Sequence, residues 1–327
     1  MKDLQPAQTV WGLINSHTIA RCLHVVADAG VADALGDEAA SAADLAKTCG
    51  LDADALYRML RLLSAYGVFA RDGDCYVHTP ESRLLRSDHP HSLRSFARMI
   101  GMPVIWDGFT RLDVPARTGR PALDWAGLVQ YFAEHSQEAS LFNQAMVGKS
   151  GTVVPAVIES YDFSRLNVIA DIGGGRGHLI QAILERAPSA SGILFELPHV
   201  VADTAHIASS RLQLMSGDFF TDALPEADAY ILMEVIHDWP DSEAQSILRA
   251  IRRIAPRHSR LLIVEALVAD TSGPHFSKML DIIMLAVTGG RERTVSEYES
   301  LLGSCGFRFE RVIPTASQYA IVEAVLA

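Results

Sequence analysis

Apolar positions recur at helical spacing through the first half of the chain, with few β-branched runs between them. From Trp11 to Ala29, the residues Ile14, Ile19, Leu23 and Val26 fall close to one helical face. The segment SAADLAKTCG opens at Ser41, a good N-cap, and closes at Gly50, a good C-terminal cap. DADALYRMLRLLSAYG repeats that grammar from Asp52 to Gly67. VFARDGDCYVHT then reads as two short strands joined through Asp72-Gly73. Helix, turn, helix and hairpin in this order predict a mainly helical, winged-helix-like domain.

The texture changes near residue 150. Beyond it, β-branched strands are expected at 167–173, 191–197, 212–218, 229–235, 260–267, 307–313 and 319–325, with amphipathic helices between the first five. Such alternation predicts an α/β, Rossmann-like domain whose mostly parallel sheet is covered on both faces and binds ligands at the strands' carboxyl ends. Only PTASQ joins the last two strands, too short for a crossover helix, so they are expected to pair antiparallel. The expected domains are residues 1–150 and 151–327.

Charge narrows the choice of partner. The chain has 327 residues, with 28 Lys and Arg against 39 Asp and Glu, a formal net charge of −11. A surface of that sign repels phosphate backbones. Residues 41–90, where a DNA-reading helix would lie, hold six basic and seven acidic side chains. A packing or dimerisation module is therefore expected there, and no nucleic acid. No run of 18 or more uncharged apolar residues occurs, so no membrane span is expected. The N-terminal sequence lacks a signal-peptide pattern, and Cys22, Cys49, Cys75 and Cys305 are scattered without a CxxC pair. Both features predict a cytoplasmic protein with reduced thiols.

Candidate chemistry sits at the ends of the expected strands. The first runs into Asp171-Ile-Gly173-Gly174-Gly175-Arg176-Gly177, where backbone and helix N-terminus can meet a ligand closely. A dinucleotide fingerprint needs Gly or Ala where His178 stands, so a diphosphate is disfavoured. The pattern D/E-x-G-x-G-x-G instead suits S-adenosylmethionine (SAM), a nucleoside joined to an amino acid. The second strand ends in Glu196, a carboxylate able to accept from both ribose hydroxyls. The third ends Ser216-Gly217-Asp218-Phe219-Phe220, where Asp218 is expected to accept from an adenine amino group while Phe219 packs on the ring. After the fourth strand comes Glu234-Val-Ile-His237-Asp238, and histidine is suited to taking a proton near neutral pH. Glu265 ends the apolar run LLIVEAL and Glu292 follows Gly289-Gly290-Arg291, so both are expected to flank His237 and stabilise its protonated form. No metal-ligand spacing and no nucleophile elbow is present.

Taken together, ADIGGGRGHL, FELPHVV, GDFF, VIHDWPD, IVEALV and GGRERTVSEYESLLGSCGF match, in order and spacing, the motifs of the plant-type small-molecule O-methyltransferases and their bacterial relatives in specialised metabolism. The chain resembles that family over essentially its whole length. The resemblance implies a winged-helix dimerisation domain, a homodimer, a SAM methyltransferase domain that yields S-adenosylhomocysteine, and no metal. It implies cofactor contacts from Asp171, Gly173, Gly175, Gly177, Glu196, Asp218, Phe219 and Met233. His237 is implied as general base with Glu265 and Glu292 beside it, and Phe142, Met146, Asp238, Met284 and Thr288 as residues lining the pocket of a small aromatic acceptor. Two positions depart from the pattern: Met233 stands where the family often has Lys, and Glu196 where it usually has Asp. Three other functions are weighed: use of SAM without methyl transfer, a ligand-sensing DNA-binding regulator, and a nicotinamide dehydrogenase. His237 with both glutamates, the acidic balance and His178 respectively count against them.

Overall fold

The computed structural model describes residues 6–327. They form two units, one of residues 6–106 and 132–149, the other of 107–131 and 150–327.

In the first unit, the helix Ala42–Cys49 starts where Ser41 accepts the Asp44 N–H and stops at Gly50, whose φ is 68°. Asp52 caps Ala53–Ala65 in the same way through Ala55 N–H. Leu45, Leu56, Leu60, Leu63, Phe69 and Tyr76 close the core. Strands β1 (Ala40–Ser41), β2 (Ala70–Asp72) and β3 (Cys75–Val77) make a small antiparallel sheet in the order β1-β3-β2. Because Asp72 pairs with Cys75, the hairpin turn is Gly73-Asp74, one residue later than Asp72-Gly73. Gly73 has φ 60° and Asp74 does not share it, so glycine takes the first turn position. The helix Pro6–Asp28 buries Val26 and Ala27, but its first turns do not follow the expected stripe. Ile14 is 59% exposed, together with Val10, Trp11 and Leu13, because no described residue of this unit covers them.

The second unit is built on a seven-stranded sheet: β4 (Val168–Ile172), β5 (Ser191–Glu196), β6 (Leu212–Ser216), β7 (Ala229–Met233), β8 (Arg260–Glu265), β9 (Phe307–Pro314) and β10 (Ala320–Leu326). Their order is β6-β5-β4-β7-β8-β10-β9, with β4 to β8 parallel. β10 inserts antiparallel between β8 and β9, as the short PTASQ link requires. Side chains alternate across the sheet. Ile169, Ile231, Leu262 and Ile321 enter one core, while Ile172, Leu232, Ile263 and Val322 enter the other. After β6 the chain crosses to the opposite side of β4 to form β7. Strand order therefore reverses between β4 and β7, and a crevice opens at their carboxyl ends. Among the described residues, no helix is long and apolar enough to cross a membrane, and the four cysteines are free thiols.

Candidate active site

The turn after β4 departs from ordinary backbone conformation. Gly173, Gly175 and Gly177 have φ of 70°, 57° and 73°, a region that excludes most side chains. Gly174 lies so close to Asp171 that a Cβ there would overlap the carboxyl group. The Gly173 N–H donates to Phe195 O and the Gly217 N–H to Glu196 O, both at 2.9 Å, which ties the three strand tips together. The helix His178–Arg186 begins on Gly177, so its unpaired N–H groups face the same turn.

Asp171 is fully buried, with its carboxyl group packed against Gly174. Burial, and then the charge of Glu196, pushes its carboxyl up to about 7. The Ile180 N–H, near the start of the following helix, opposes that rise. Glu196 is half-buried at the end of β5 and accepts the Leu197 N–H at 2.7 Å. Burial pushes it to about 7 as well, against the opposing pull of that bond. After β6, Asp218 Oδ1 accepts the Phe220 N–H at 2.8 Å, which shapes the turn and turns the Phe219 ring toward Gly173. Phe219, Phe220 and Trp239 pack edge to face, with centroids 4.8–6.1 Å apart. Met233, the last residue of β7, is half-buried against the sheet core. The residues at these tips fit SAM: glycines clear the backbone, Glu196 offers carboxylate oxygens, and an aromatic edge lies beside them.

A second group adjoins this one. β7 leads through Glu234, whose φ of 56° is rare for a residue with a side chain, into a single 3₁₀ turn, Ile236–Asp238. His237 in that turn is buried. Its Nδ1 lies 2.6 Å from Glu292 Oε1 and 3.4 Å from Glu265 Oε2, and its backbone N–H donates to Glu265 Oε1 at 3.2 Å. Nε2 is 3.7 Å from Asp238 Oδ1, too far for a hydrogen bond. Burial disfavours the charged ring, but Glu265, Asp238 and Glu292 outweigh it, and the imidazole pKa rises well above its usual value. Burial likewise raises Glu265, against the attraction of His237 and with the repulsion of Glu292 and Glu234. The His237, Glu265 and Glu292 donor atoms lie within 4.8 Å of one another, compact enough to consider a metal. A metal bound at about 2.0–2.2 Å to nitrogen and oxygen would hold those two atoms about 3 Å apart. At 2.6 Å, Nδ1 and Oε1 lie at hydrogen-bond distance.

Of the expected acceptor-lining residues, Met284 and Thr288 lie on and just after the helix Phe276–Val287. Both are buried, and the Thr288 hydroxyl bonds the Met284 carbonyl at 3.2 Å while accepting the Gly290 N–H. Asp238 is next to His237. Phe142 and Met146 lie on the helix Ser136–Ser160 within the first unit, where the Phe142 ring packs 5.0 Å from Phe132.

Sequence reasoning missed the residues that hold the second group in place. Asp281 accepts the Glu292 N–H at 2.9 Å. The Arg291 N–H donates to His237 O at 2.8 Å, and a Cβ on Gly290 would overlap that same carbonyl. Gly290→Ala is therefore expected to force the two loops apart, lowering stability by about 1–3 kcal/mol. A denaturant midpoint unchanged from wild type would refute this close approach. The signal that could have found it is the pair Gly289-Gly290 directly before the candidate Glu292.

Comparison with known proteins gives consistent likenesses. The family model of the O-methyltransferase domain matches residues 118–308, and that of the O-methyltransferase dimerisation domain matches 11–88. The chain is 37% identical to phenazine O-methyltransferase PhzM of Lysobacter antibioticus over 321 residues, covering 95% of this chain and 94% of that one. It is 34% identical to O-demethylpuromycin-O-methyltransferase of Streptomyces alboniger, over 96% and 87% of the two chains. Its fold is similar to the crystal structure of CalO1, a methyltransferase in calicheamicin biosynthesis, in the SAH-bound form. The TM-score is 0.90 at 33% identity, with full coverage of both chains.

Proposed function

The chain belongs to the SAM-dependent O-methyltransferases, and from that premise we propose a specific reaction and a role for each residue of the site. The acceptor is a phenolic or enolic hydroxyl on a small aromatic or polyketide-like metabolite. Glu196 holds the ribose hydroxyls, Asp218 and Phe219 the adenine, and Asp171 with Gly173, Gly175 and Gly177 the amino-acid end. Met233 adds apolar contact without the charge that lysine would bring. Residues 151–327 carry the reaction. Residues 1–150 form the dimerisation domain, and a second copy covers Val10, Trp11, Leu13 and Ile14. Asp238, Met284 and Thr288, all in the second unit, contact the acceptor.

When bound, SAM supplies a methyl group activated by its sulfonium, and S-adenosylhomocysteine remains after transfer. The protein's part is alignment and a stronger nucleophile. A phenol, with pKa near ~10, is mostly protonated at neutral pH. His237 takes the hydroxyl proton at Nε2 as the new bond forms, while Glu292 fixes the tautomer by holding Nδ1–H. Glu265 and Glu292 stabilise the resulting imidazolium, and raising the ring toward the phenol's pKa balances the transfer. No metal takes part. The observation that carries this reading is the 2.6 Å contact between His237 Nδ1 and Glu292 Oε1, beside the cradle at the β4 tip.

The test is incubation with methyl-labelled SAM and a panel of phenols and enols from pH 6 to 10. The neutral ring is the base, and its pKa lies above the ordinary value of about 6.5, so turnover should rise with pH well beyond neutrality. Glu292→Gln, which removes one source of that elevation, should move the rise to lower pH. Consumption of SAM without a methylated product would overturn the proposal in favour of chemistry other than methyl transfer.

A further inference from the structure

We propose that Arg293 is a positioning residue that locks the turn bearing His237 against the loop bearing Glu292. The inference rests on the reading of His237 as base, and extends it to a group outside the reacting atoms. Arg293 is 1% exposed and heads the fully buried side chains of the protein by size. Its Nη1 donates to Ile236 O at 3.1 Å and its Nη2 to Trp239 O at 3.0 Å, so one guanidinium grips the chain on both sides of His237. Nε and Nη2 also reach Asp241 Oδ1 at 3.0 and 2.7 Å, at the first residue of the helix Asp241–Ile254. The Arg293 backbone carbonyl accepts the Val268 N–H, which fixes the loop from the β8 side.

Stability alone does not explain this arrangement, because Asp241 is half-exposed and an ion pair open to solvent contributes little. A three-residue turn has few hydrogen bonds of its own, yet it must hold a ring nitrogen 2.6 Å from a carboxylate on another loop. Arginine suits the task because its planar fork presents five donors in fixed directions. Lysine keeps the charge but gathers its donors at one point, so it cannot span Ile236 O, Trp239 O and Asp241 together. The charged and titratable groups that bear on His237 are Glu265 on β8, Glu292 and Asp238; Glu234 bears on Glu265, and Tyr298 and Tyr319 interact with the same carboxylates. Of these, the contact with Glu292 depends most directly on where Arg293 puts the two loops.

Arg293→Lys and Asp241→Ala in the full chain test the proposal. The second variant frees Arg293 from a half-exposed partner without opening a cavity. For Arg293→Lys, kcat should fall about tenfold, since small misplacements near a reacting group are costly. SAM affinity by calorimetry and acceptor KM should stay unchanged. The His237 ring titration, followed by NMR without turnover, should move down toward about 6.5. Asp241→Ala should shift it in the same direction by less. Loss of melting temperature with an unchanged kcat and ring titration in both variants would overturn the proposal and leave Arg293 a purely structural residue. If the ring titration moves and kcat does not, positioning stands and the reading of His237 as base fails instead.

Discussion

Replacing His237 by glutamine is expected to lower turnover by about 10²–10⁴-fold, the range of a lost general base. SAM affinity should remain nearly unchanged, because His237 lies outside the three strand tips assigned to the cofactor. Glutamine is the better choice than alanine. Alanine would leave Glu265 and Glu292, both buried, without the ring that separates their charges, and breaking such a pair costs about 3–5 kcal/mol. A glutamine amide can still donate toward Glu292 while offering no basic nitrogen. Single-turnover rates and calorimetric SAM binding on the same preparation separate the two effects. Wild-type turnover in His237→Gln would remove the imidazole from the chemistry, and the pH dependence would need another group.

Glu196→Ala carries the other large effect, this time on binding. Hydrogen bonds from neutral donors to a charged acceptor contribute about 1.5–3 kcal/mol each. Two lost ribose contacts therefore predict SAM binding weaker by about 10²-fold or more. The carboxyl pKa of about 7 adds a pH signature. Below that pH the free protein holds Glu196 protonated, with fewer lone pairs to accept from both hydroxyls. Affinity should accordingly fall as pH drops from 8 to 6, and binding near pH 7 should release protons, read by calorimetry in buffers of different ionisation enthalpy. A Kd for SAM that Glu196→Ala leaves untouched would end the assignment of the β5 tip to the ribose.

These expectations draw on residues that differ in how far the sequence discloses them. The strand tips were legible because their signals are local. A β-branched run followed by glycines can hardly avoid delivering a sharp turn to a helix, and Gly173, Gly175 and Gly177 adopt the positive φ that only such residues accept readily. The caps at Ser41 and Asp52 were legible for the same reason, since the side chain and the N–H it satisfies are three residues apart. The hairpin shows the limit of local reasoning. Asp-Gly signals a turn, but cross-strand pairing set the register, and Asp72 remained in the strand.

Burial and long-range pairing were only partly legible. Nothing in the neighbourhood of Arg293 marks it as buried, because its partners at positions 236, 239 and 241 are over fifty residues away. Ile14 looks like a core residue by periodicity, yet lies exposed, since a helical stripe says which residues share a face and not what covers it. By itself, the sequence determined the order of elements, the kind of sheet and the glycine turn. That Glu265 and Glu292 flank His237 was expected, but tertiary structure alone decided that both approach the same ring nitrogen, at 3.4 and 2.6 Å. Proton affinity in a protein depends on distance and burial, and both arise only when segments far apart in the chain are packed together.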